Sequence, residues 1–169
     1  MTGPLPDDAV PPAALVRHEN SLERADRNWE ELLGELRVTE TGVAILFSVL
    51  LTVPFSARFD QANSGQQSLY LVALLLSAAT LVTLIAPVAC HRILFARRQK
   101  PGVVKIANRL TVIGLGLLCL TLGTVLMLVT DFLVDASIAI VVSLIFTIGT
   151  AALWFVPAWA LRESGRSDR

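Results

Sequence analysis

Chemistry-bearing side chains are scarce in this chain. Its 169 residues include two His, two Cys and one Tyr. There is no His-Glu-x-x-His run, no paired Cys-x-x-Cys and no cluster of carboxylates, so no metal-ligand set can be assembled from sequence. No glycine-rich loop follows a strand, and Gly114-Leu-Gly116 falls inside a long apolar run, where it reads as packing. Serines and threonines in such runs have no base at comparable depth, which excludes a nucleophile–base pair. The composition implies no cofactor and a non-enzymatic protein. Net charge is zero, so overall charge gives no reason to expect a nucleic-acid partner. Cys90 and Cys119 fall at different expected depths, and a disulfide needs Cα atoms within ~7 Å. Both read as small packing residues.

Charge itself is missing from four stretches: Thr41–Ala57, Gln61–Cys90, Leu110–Thr130 and Ala136–Leu161. A membrane-spanning helix needs about 20 mostly apolar residues at ~1.5 Å each. The last two runs meet this directly. In the second run Leu69–Cys90 is the apolar part, and the first run needs extension to about Val38 and Phe59. The expected fold is all-α: an integral membrane four-helix bundle with spans near 38–59, 69–91, 109–131 and 136–161.

Residues 1–19 contain four prolines and little apolar pattern and are expected to be disordered. No signal peptide is visible there, so the first span is expected to act as an uncleaved membrane signal. Residues 20–37 differ. Leu22, Ala25, Trp29, Leu32 or Leu33, and Leu36 recur at spacings of three and four, opposite Glu23, Arg24, Arg27, Glu30, Glu31 and Glu35. This predicts an amphipathic cytoplasmic helix before the first span, with Asn20 and Glu23 as a capping box variant. Its five acids and three bases suit docking on the basic inner loop or pairing with another copy better than an anionic lipid surface.

Orientation follows from the remaining charge. Thirteen of the fourteen Lys and Arg lie on one side of the four runs, and only Arg58 lies on the other. The positive-inside rule places both termini, including the tail 162–169, and the Arg97–Lys105 loop in the cytoplasm of a plasma membrane. Asp131 and Asp135 bound a very short outer connection, so the last two spans are antiparallel neighbours. Asp135 is placed to cap the last helix. Trp154 and Trp159 are expected in an interfacial belt.

Two sets of residues stand out as candidate sites. Glu40, His91, Arg92, Asn108 and Arg109 end or begin three spans at the cytoplasmic boundary. Such a cluster can serve proton or ion entry, or it can be interfacial anchoring with Glu40 paired to Arg92 or Arg109. Asp131 is an outer-face acid that can capture a cation or simply be solvated. Pro87, one turn before His91, can shape a cavity or only bend its helix. Helix packing is expected along Ala139, Ser143, Thr147 and Ala151, with weaker rows at Ala73 and Ser77 and at Cys119 and Gly123. Small residues at this spacing let backbones approach in lipid.

Several of these segments carry a resemblance. Glu35-Leu-Arg-Val38, Thr41-Gly-Val43, Phe47 to Pro54-Phe55, Arg58-Phe-Asp60, Ala86-Pro87 with His91-Arg92, and Ala107-Asn-Arg109 resemble the DUF6328 family of bacterial, often actinobacterial, membrane proteins. The likeness runs from about Glu31 to Leu133. Family members commonly have an aromatic residue before the His-Arg pair, where this chain has Cys90. The resemblance implies the same architecture and points to the same boundary residues, and the family name implies no activity. Two functions stay open: an oligomer-forming or complex-associated membrane subunit, and a small proton- or cation-coupled transporter or channel.

The charge distribution yields a test. In a chain freed of native cysteines, Ser64→Cys should react with an impermeant thiol reagent in intact cells, and Gln99→Cys only after lysis. Labelling of Gln99→Cys from outside, with none at Ser64→Cys, would reverse the topology.

Overall fold

The computed structural model describes residues 21–94 and 100–167, with side chains described for Arg27, Gly34, 36–90, Arg92 and 106–157. It is all-α: α1 is Ser21–Thr52, α2 Ser64–Leu94, α3 Lys100–Leu133 and α4 Ala136–Ser167. Each contains a stretch long and apolar enough to cross a bilayer: Leu36–Phe55, Ser64–Cys90, Ile106–Leu133 and Ala136–Pro157. The chain is a multi-pass membrane protein.

The helix expected at 20–37 and the first span expected from about 38 are parts of one element. α1 runs through that point without interruption, because nothing between Arg37 and Thr41 breaks a helix and the apolar spacing of three and four continues. Side chains of the expected stripe before Leu36 lie outside those described, as does the expected disordered tail 1–19. α1 instead ends earlier than expected, at Thr52. Two 3-10 turns follow, Val53–Phe55 and Phe59–Gln61.

Pro54 is the reason. A continuing α-helix would use the residue-54 N–H to satisfy the Leu50 carbonyl, and proline has no such donor. The Tyr70 hydroxyl supplies it from α2, donating to the Leu50 carbonyl at 3.0 Å in a buried contact. Phe59 braces the same tyrosine edge-on, with ring centroids 5.0 Å apart.

α2 begins before the apolar run, at Ser64, because Asn63 caps it. The Asn63 side chain accepts from the Gln66 N–H at 2.9 Å, and the Gln66 side chain accepts from the Asn63 N–H at 3.1 Å. This reciprocal pair lets five small or polar residues, Ser64 to Ser68, start a helix. At the other short connection Asp135 caps α4, accepting from the Ser137 and Ile138 N–H groups at 2.7 and 3.2 Å.

The helices are neighbours in chain order. α2 packs along α3, the backbone of α4 runs close only to that of α3, and α1 lies on α2 with a slight touch on α3. The α2 seam is Tyr70, Ala73, Ser77, Thr80, Leu84 and Pro87, all buried at alternating spacings of three and four. That is a 3.5-residue repeat, the signature of a left-handed antiparallel pair. On α3, Ala107, Gly114, Leu118 and Thr121 are buried at matching positions. Gly114 is a notch for Leu84: an added Cβ would stand 2.5 Å from the Leu84 Cδ2. Leu36, Val43 and Leu50, seven residues apart, form the buried stripe of α1.

The Leu50 carbonyl gives the prediction. Tyr70→Phe keeps the ring and leaves that carbonyl buried without a donor, so stability should fall by about 1–3 kcal/mol in detergent melts. An unchanged midpoint would mean that the hydroxyl is not needed there.

Candidate functional site

Glu40 does not meet Arg92 or Arg109 among the described residues. Glu40 lies on the flank of α1, half-buried, and its Oε1 is enclosed with no hydrogen-bond partner. Arg92, Asn108 and Arg109 are exposed. Among the described residues no ion pair joins Glu40 to Arg92 or Arg109; the charge acting on Glu40 is Arg37, three residues earlier on the same helix. The reason lies in the packing. α1 barely touches α3, and arginines at helix ends reach outward rather than across a helix interface. The His91 side chain lies outside those described. Asp131 is half-buried in the last turn of α3, near an end that is otherwise exposed at Phe132 and Leu133.

Among the described residues no three His, Cys, Asp or Glu side chains come together as a metal site needs. Both cysteines are free; Cys119 is buried and its thiol lies 3.4 Å from the Thr147 carbonyl.

The row expected to pack on α4 faces α3. Ala139 is fully buried, Ser143 nearly so, and Thr147 and Ala151 are half-buried. Thr147 sits against Gly123, where any added Cβ would overlap its hydroxyl. Trp154 is half-buried and packs against the cluster formed by Leu36, Val43, Leu84 and Leu118. The Trp159 side chain lies outside those described.

Two buried hydroxyls were not singled out from sequence. Thr80 and Thr121 are fully buried and bond each other at 3.1 Å across the α2–α3 seam. Each also reaches a carbonyl of its own helix, Leu76 at 2.7 Å and Leu117 at 2.8 Å. The signal available in sequence was the heptad spacing from Tyr70 to Pro87, which places Thr80 on the seam. The weaker clue of small residues drew attention only to Ala73 and Ser77. Tyr70, the only tyrosine of the chain, was likewise missed; the clue was a proline within a span that orphans a carbonyl one turn earlier.

A family model described as a family of unknown function, DUF6328, matches residues 18–158. No curated protein and no solved structure matches the chain.

Glu40 supplies the prediction. An enclosed carboxylate oxygen without a partner gives nothing to the fold that an amide would not give. Glu40→Gln should therefore leave the melting midpoint unchanged or raise stability by up to about 1 kcal/mol. A loss of more than about 2 kcal/mol would mean that Glu40 is held by a cation after all.

Proposed function

This chain belongs to the DUF6328 family of unknown function, and we propose that it is a non-enzymatic membrane protein that works by helix association in the bilayer, with another copy or with a larger complex. The outward face of α1 carries this reading. Thr41, Ile45, Ser48 and Thr52 share that face and are exposed, and the space beside Gly42 on its margin is open. The three hydroxyls bond back to the Arg37, Ala44 and Val49 carbonyls at 2.8, 2.8 and 2.7 Å, so they cost little in lipid. Small and hydroxylated residues at helical spacing are what a second transmembrane helix packs against. The outward face of α4 contrasts with it. Val141, Leu144, Ile145, Ile148 and Leu153 are exposed there, a surface made for acyl chains.

A second reading, a small proton- or cation-coupled transporter, is favoured by one observation, the unpartnered Glu40 oxygen within a span. Asp131 is its second candidate.

Cysteine trapping separates these. In a background lacking Cys90 and Cys119, Ser48→Cys should form a disulfide or short cross-link to a second copy or a co-purifying protein, and Ile145→Cys should not. Equal trapping at both positions would remove the support for an α1 interface. In proteoliposomes neither the native chain nor Glu40→Gln should carry a pH-gradient-driven cation flux. A flux present in the native chain and absent from Glu40→Gln would favour the transporter.

A further inference from the structure

An apolar groove of about 300 Å³ opens between the second half of α1, the two 3-10 turns and the second half of α3. It lies at the end of the spans opposite the arginine-rich boundary. Its long walls are Leu46, Val49 and Val53 on one side and Val125, Val129 and Leu133 on the other. Seven residues along α1 and into its 3-10 turn, and eight of α3, separate the ends of these walls, a depth of about 10–12 Å at ~1.5 Å per residue. Ser56, Arg58 and Gln66 also line it. Arg58 is exposed, makes no ion pair among the described residues, and is the only Lys or Arg between Arg37 and Arg92. The single cation on that side of the membrane therefore borders an otherwise apolar trough.

We propose that this groove holds one acyl chain of a membrane phospholipid, with the lipid phosphodiester at Arg58. Charge complementarity argues for the headgroup: a guanidinium makes strong charge-assisted bonds to phosphate oxygens. The apolar walls argue for the chain, and they exclude a free phosphate, which would have only Arg58 to hold it. Size argues against a helix from a second copy. A helix with side chains is about 10–12 Å across, too wide for a 300 Å³ cleft, whereas an extended alkyl chain enters it. The cleft lies where α1 has ended at Thr52, just before Pro54, and is tied to α2 through Tyr70, with the groove between it and α3. The proposal is independent of the α1 association face, which lies on another side of that helix.

The test is native mass spectrometry of the full chain released from nanodiscs containing phosphatidylglycerol. The native chain should retain one lipid. Arg58→Ala should weaken retention about tenfold, the scale of losing one charge-assisted contact. Val129→Trp, which fills the groove from a half-exposed position, should abolish it, and Ile145→Trp on the far face of α4 should leave it intact. Equal retention in all four proteins would overturn the proposal. So would retention that survives Arg58→Ala but not Val129→Trp, which would mark an apolar guest without headgroup recognition. A groove variant that loses a dimer while the native chain carries no lipid would assign the groove to a second copy. Melting curves of each variant separate loss of lipid from loss of fold.

Discussion

The hydrogen bond between Thr80 and Thr121 shows the constraint on which the rest of this structure depends. Lipid offers no partner to a polar group, so each one must be satisfied inside the protein. Each hydroxyl has a single hydrogen, so one donates to the other while the second donates to the carbonyl of its own helix, and both are fully buried. That arrangement requires α2 and α3 to be close and in register. The 3.5-residue seam sets the register, and the Gly114 notch accepting Leu84 allows the approach. Apolar surface alone would not fix either, because helix faces and lipid tails are equally apolar. Packing and a few internal polar contacts are what distinguish this pairing from a helix surrounded by lipid.

The same constraint explains the turn between the first two spans. Pro54 removes a donor and leaves the Leu50 carbonyl to be satisfied from elsewhere. Tyr70 does so from α2, and Phe59 holds the tyrosine ring. The chain then needs two 3-10 turns to reach Asn63, whose reciprocal bonds with Gln66 start the next helix. The Ser56 and Thr52 hydroxyls add bonds to carbonyls near the helix end, those of Val53 and Val49, the first of which also accepts the Ser56 N–H. A single proline thus shapes a whole connection, and the cleft beside α3 is a by-product of that shape.

Much of this architecture is legible in the sequence, for a physical reason. The cost of placing charge in hydrocarbon leaves long uncharged runs, and those mark four apolar helices directly. Asp135 as a cap, and Ala139 with Ser143 on a buried face, follow from local rules of the same kind. The amphipathic segment and the first span share one helix because a change from amphipathic to uniformly apolar composition need not interrupt the backbone; α1 has no proline there. The start of α2 was placed late because hydropathy ignores capping, which lets polar residues begin a helix. The boundary cluster was misread differently. Equal depth in the bilayer suggests proximity, yet depth says nothing of which helices adjoin. Glu40 and Arg109 share a depth on helices that scarcely meet.

That distinction bears on where function resides. α2 and α3 bury the largest shares of their spans, and α4 is a buttress whose backbone lies close to α3. The features not needed to hold the fold gather on or beside α1: the hydroxyl row, the unpartnered Glu40 oxygen and the Arg58 groove. Among the described residues, one heptad stripe and one tyrosine bond hold α1. A helix so held can shift against α2 at less cost than α3 can, because little packed surface would be lost. Leu36, Val43 and Leu50 would remain its rails, and the Tyr70–Leu50 bond its pivot. Any partner or lipid that acts on α1 therefore acts on the element least constrained by the α2–α3 seam.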